Sequence, residues 1–75
     1  MEIILFGQLT DIAGSSSITI NNAADTDSLV KEVNKLYPSI TGVKYRIAVN
    51  KKIISDNTAI TETSNIALLP PFSGG

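Results

Sequence analysis

Thr26-Asp27-Ser28-Leu29-Val30-Lys31-Glu32-Val33-Asn34-Lys35-Leu36-Tyr37-Pro38 is the segment whose reading decides the fold. Leu29, Val30, Val33, Leu36 and Tyr37 stand at i, i+1, i+4, i+7 and i+8, which places them on one stripe of an amphipathic helix. Thr26 reads as the N-cap, and Asp27 sits where the positive end of the helix dipole favours an acid. Lys35 complements the last turn, and Pro38 stops the helix. This is the only segment long enough to form a helix that covers a sheet.

The flanking sequence supplies the strands. Glu2–Phe6 holds a run of four apolar residues, Ile3 to Phe6, which suits a central strand with both faces covered at least in part. Gly7-Gln8 breaks it, Leu9–Ala13 can form one helical turn, and Gly14 ends that turn. Ser15–Ile20 alternates, with Ile18 and Ile20 inward and Ser17 and Thr19 outward. Asn21–Asp25 is a polar loop. After the helix, Pro38–Lys44 reads as a loop. Tyr45–Val49 alternates again, with Tyr45, Ile47 and Val49 on one face and Arg46 and Ala48 on the other. Asn50-Lys51 turns into a short strand at Lys52–Ile54, and Ser55-Asp56-Asn57 is turn chemistry. Ala59-Ile60 is a short 3₁₀ or extended piece. Thr63-Ser64-Asn65 leads into the last strand, Ile66–Leu69. The order β-β-α-β-β-β predicts an α+β domain, a mixed sheet packed on one main helix with the first and last strands central.

One helix leaves one face of that sheet bare. With Ile3, Leu5, Ile18, Ile20, Ile47, Val49, Ile66 and Leu68 facing the helix, the period-2 rule sends Ile4, Phe6, Ala48, Ala67 and Leu69 to the opposite face. Ile53 joins them. A contiguous apolar patch of this kind marks a partner site, so these six residues are the predicted partner-binding set.

Seventy-five residues, 43% hydrophobic and 17% charged, make one folded domain spanning residues 1–75, with residues 70–75 as an extended tail. A chain of this size buries only about 60% of its unfolded surface, so its core must be simple. A net charge of −1 without a basic block argues against a nucleic-acid partner. No apolar run approaches the ~20 residues that span a membrane, and Met1 leads straight into strand-like sequence with no signal-peptide pattern. The expected location is cytoplasmic. With no Cys and no His, the chain lacks a thiolate nucleophile, the commonest general base and the commonest metal ligands. The remaining Asp, Glu, Lys, Ser and Tyr residues form no acid–base or nucleophile constellation, so neither a metal site nor independent catalysis is expected.

The tail, Pro70-Pro71-Phe72-Ser73-Gly74-Gly75, offers different chemistry. Two prolines fix φ and remove two backbone donors, which makes a stiff, extended stalk. Phe72 is an aromatic anchor. Gly74-Gly75 presents a bare α-carboxylate on a thread thin enough for a channel that a Cβ would block. The tail-insertion set is therefore Pro70, Pro71, Phe72, Ser73 and Gly74, and the reacting group is the carboxylate of Gly75.

Ile3-Ile4-Leu5-Phe6-Gly7-Gln8-Leu9 at one end and Leu68-Leu69-Pro70-Pro71-Phe72-Ser73-Gly74-Gly75 at the other resemble the ubiquitin-like sulfur carriers that serve as small subunits of molybdopterin synthase. The order of strands and helix matches along the whole chain. The resemblance implies a ubiquitin-like β-grasp fold. It also implies that a ubiquitin-activating-like adenylyltransferase uses ATP to adenylate Gly75, that sulfur replaces AMP to leave a thiocarboxylate, and that the tail enters a large catalytic subunit to form the dithiolene of molybdopterin. In this reading the chain binds no cofactor itself and acts as the non-catalytic sulfur donor of a heterotetrameric sulfurtransferase. Phe6, Ile53 and Leu69 match the family's apolar contacts with the large subunit. Thr63-Ser64-Asn65 departs from the acidic turn common in the family. Three other functions fit the same tail: a carrier for thiamine thiazole or cysteine synthesis, a ubiquitin-like protein modifier joined through Gly75, and an interaction module with an inert tail. The Pro-Pro stalk argues against the thiazole carrier.

Overall fold

The computed structural model describes residues 1–70. Five strands, β1 (Glu2–Leu5), β2 (Ser17–Thr19), β3 (Arg46–Val49), β4 (Lys52–Ile54) and β5 (Ile66–Leu69), form one sheet in the order β2-β1-β5-β3-β4. The first and last strands are interior, as their apolar sequences require. They pair in parallel, Ile3 with Ile66 and Leu5 with Leu68, while the other pairings are antiparallel. Two helices, α1 (Gln8–Ala13) and α2 (Thr26–Leu36), complete the regular structure with a 3₁₀ turn at Pro38–Gly42. This is the ubiquitin-like β-grasp arrangement.

The helix-facing residues form one core. Ile3, Leu5, Ile18, Ile20, Ile66 and Leu68 of the β1-β2-β5 side meet Leu29 and Val33 of α2, with Leu9, Ile40, Val49 and Ile60 closing the edges. Burying a side chain of this size stabilises by roughly 1.5–3 kcal/mol relative to leaving it exposed, so the twelve residues of this cluster account for most of the driving force.

The helix region departs from the sequence expectation at three points. Asp25, not Thr26, is the N-cap of α2: its Oδ1 accepts from the Ser28 N–H at 2.9 Å. Thr26 is the first helical residue and is buried, because its Oγ1 accepts from the Thr58 N–H at 2.9 Å. Leu36 lies outside the buried stripe at 54% exposure. The segment after Pro38 is a 3₁₀ turn rather than a loop; proline suits its first position, and it carries Ile40 into the core beside both helices.

Ala59 is extended and bridges to Asp25. With it, Asn57 and Thr58 clasp the start of α2: Asn57 Oδ1 accepts from the Asp27 N–H at 2.9 Å and its Nδ2 donates to Asp25 Oδ2 at 3.3 Å. Two of the orphan N–H groups at the helix start are thereby satisfied by side chains. The β3–β4 turn has positive φ at both central residues, Asn50 (52°) and Lys51 (70°), the geometry of a tight type I′ hairpin. Asn50 also ties the turn to β5, donating from its N–H to the Asn65 carbonyl at 2.7 Å and accepting the Asn65 N–H at 2.9 Å.

Candidate functional site

The strand registers decide what lies on the bare face. Ile4 stands opposite Ala67, Ala67 opposite Ala48, and Ala48 opposite Ile53, so these four residues form one row across β1, β5, β3 and β4. Facing residues in such rows sit about 4.5–5.5 Å apart, which makes the row continuous. Phe6 and Leu69 extend the same face toward the end of β5, where the Phe6 N–H donates to the Leu68 carbonyl at 3.1 Å and prolongs the parallel ladder.

Neither helix covers this face. Ile4, Phe6 and Ile53 are 38%, 46% and 43% exposed, although each would favour burial. Ala67 and Leu69 are half-buried by their neighbours. Ala48 is buried at 7% exposure yet stands outside the main core cluster, because the longer side chains around it shade its single methyl. All six residues of the predicted partner set are thus on one side of the sheet.

Pro70 roots the tail at the edge of this face. It packs on Gly7, whose backbone (φ 62°, ψ −140°) lies in a region open mainly to glycine. The sequence shows Gly7 as a strand break, but its contact with Pro70 arises only from the parallel pairing of β1 with β5. Pro71, Phe72, Ser73, Gly74 and Gly75 lie outside the described residues.

A depression of about 600 Å³ opens beside the start of α2, its lining including Asp27, Lys44, Arg46 and Asp56. Burial pushes the neighbouring Tyr45 phenol above its usual range, so it stays neutral at physiological pH. Hydrogen bonds, first from the Ser28 backbone and then from the Ser28 and Asn57 side chains, hold the Asp25 carboxyl below the usual carboxylate range. That carboxylate serves the helix cap. No group of His, Cys, Asp and Glu among the described residues has metal-ligating geometry, and no helix among them is long and apolar enough to cross a membrane.

Comparison with known families adds to this geometry. The model of the ThiS family matches residues 3–75. The chain belongs to the ThiS family. Among its relatives, the molybdopterin synthase sulfur carrier subunit of Dictyostelium discoideum is 33% identical over 81 residues, covering 99% of this chain and 94% of that protein. Two solved structures share the fold. Small archaeal modifier protein 1 from Methanosarcina acetivorans superposes with a TM-score of 0.84 at 20% identity, covering 99% of this chain and 94% of that one. A chain in the complex of subunits 1 and 2 of molybdopterin-converting factor from Helicobacter pylori superposes with a TM-score of 0.69 at 28% identity, covering 99% and 96%. The ThiS-family assignment thus rests on nearly the whole length of the chain.

Proposed function

We propose that this ThiS-family chain is the sulfur-carrying small subunit of a molybdopterin synthase, acting in the cytoplasm. The observation that carries the proposal is the unbroken apolar row Ile4–Ala67–Ala48–Ile53, with Phe6 and Leu69 leading from it to the root of the tail. The Helicobacter pylori structure is itself a complex of two subunits, which supports a large-subunit partner for this face. The assembly we propose is a heterotetramer of two small and two large subunits.

The chemistry resides in Gly75. A free α-carboxyl has a pKa near about 3.5, so at neutral pH it is an anion and a poor electrophile. An adenylyltransferase joins it to AMP from ATP with loss of pyrophosphate. A sulfide-level donor then attacks the acyl carbon; the C–S bond forms as the C–O bond to AMP breaks, leaving a thiocarboxylate. That soft nucleophile, carried on the stalk of Pro70, Pro71, Phe72, Ser73 and Gly74, reaches a pterin precursor held by the large subunit. The carrier contributes the sulfur, the stalk and the docking face.

The test is intact mass after incubation with the cognate activating enzyme, ATP and a sulfur source. One oxygen-to-sulfur exchange located at Gly75 is expected, followed by conversion of the cyclic pterin precursor only when the large subunit is present. An unchanged mass with an active enzyme overturns the carrier reading. Loading without pterin conversion keeps the carrier and rejects this pathway, and isopeptide conjugates through Gly75 assign the chain to protein modification instead.

A further inference from the structure

Arg46 is the charged member of the outer face beside the tail. The register places it directly opposite Leu69, one residue before Pro70, on the same side of the sheet as Ala48 and Ala67. It is exposed, and no carboxylate among the described residues lies within ion-pair distance of it. On this face its neighbours are Leu69 and Phe6; Asp27 and Asp56 line the depression beside it, but neither comes within ion-pair distance. A partner that encloses the tail must also close over the residue beside the tail's root. Burying an unpaired guanidinium there would cost more than a typical apolar anchor supplies. A partner carboxylate at this point removes that penalty.

We propose that Arg46 is the orienting contact of the docking face, pairing with a carboxylate at the mouth of the partner channel that takes the tail. This rests on the large-subunit reading above. A planar guanidinium can hold a carboxylate through two parallel hydrogen bonds, which fixes direction as well as attraction. The apolar row alone would allow the partner to slide along the sheet. A charge pair at one end sets which end of the face meets the channel. The other outward ionisable group on the central strands, Glu2 of β1, lies at the far end of the face, about 13 Å from Phe6 at the strand rise per residue. The two charges give the face a polarity along the strands.

The experiment measures association of the full-length chain with its purified cognate large subunit over a range of salt concentrations. Arg46→Glu is expected to weaken binding about 30-fold or more, with slower association and a flatter salt dependence. Arg46→Gln should fall between, and Arg46→Lys should retain most of the association rate. Lys51→Glu, the same charge change at the far turn, serves as control and should shift affinity less than threefold. Changing the responsible carboxylate of the large subunit to Lys should restore binding of Arg46→Glu. Wild-type affinity and salt dependence for both Arg46→Glu and Arg46→Gln, while Phe6→Asp still weakens binding, would overturn this inference and leave the docking face standing. Failure of the wild-type chain to bind the large subunit overturns both.

Discussion

Gly7 and Pro70 are in contact at the end of the sheet: a Cβ placed on Gly7 would lie 3.0 Å from the Cγ of Pro70. The glycine is also held at φ 62° and ψ −140°, where a side chain is strained. Gly7→Ala should therefore destabilise the domain by about 1–3 kcal/mol through backbone strain alone, and the displaced proline should re-aim the tail. Denaturant unfolding measures the first effect. Sulfur transfer per folded molecule measures the second and should fall further than the folded fraction does. Wild-type transfer by folded Gly7→Ala would show that the contact does not aim the tail.

Phe6 and Leu69 separate docking from folding. Phe6→Asp or Leu69→Asp should weaken large-subunit binding by at least about 2 kcal/mol, or roughly 30-fold, because an aspartate at the centre of an apolar contact must be desolvated. The melting temperature of the isolated domain should barely move, since both residues face away from the helix core. Unfolding of either variant would show that the residue supports the fold.

Lys51 occupies a turn position that favours glycine. With φ at 70° following Asn50 at 52°, Lys51→Gly produces the Asn-Gly pair that two-residue hairpins prefer. Relief of left-handed strain, about 1–2 kcal/mol, outweighs the extra chain entropy of glycine, about 0.5–1 kcal/mol. The variant should melt a few degrees higher in calorimetry, and an equal or lower melting temperature would refute the turn assignment.

Asp25 gives the fold an acid-side pH dependence. Its folded pKa is lowered, first by the Ser28 backbone hydrogen bond, so its ionised form is favoured in the folded state. The resulting stability is present above the unfolded carboxyl pKa, about 3.9, and is lost as pH falls through the lower folded value. Asp25→Asn keeps a capping side chain that does not titrate. Its melting temperature should lose that part of the acid-side slope, measured from pH 5 downward, while Asp25→Ala should melt lower than wild type at neutral pH.

The strands are legible in the sequence because their burial repeats every second residue, and that phase puts Ile4, Phe6, Ala48, Ala67 and Leu69 on one face; the short β4 gives only a weak phase, and the β3–β4 register sets Ile53 opposite Ala48. The helix was readable as an element but not at its ends. Leu36 fits the periodic stripe, yet the chain turns away at Tyr37 and Ile40 enters the core after it. Asp25 and Thr26 are both good caps by residue type. What selects Asp25 is the clasp with Asn57 and Thr58, more than thirty positions away in sequence, and no local pattern reports that. Arg46 was readable as outward-facing, but its place beside the tail follows from the β3–β5 register.

The central position of β5 bears on how the molecule is made. β5 joins two halves that otherwise share no strand pairing, β1 with β2 and β3 with β4. Its partners include Ile3, at the opposite end of the chain. Closing so long a loop delays the gain from those contacts, so the middle of the sheet forms only once β5 is in place. Without Ile66 to Leu69 the sheet has no continuous outer face, only the separate pairs β1–β2 and β3–β4. The strand that leads to Pro70 is thus also the strand that completes the outer face.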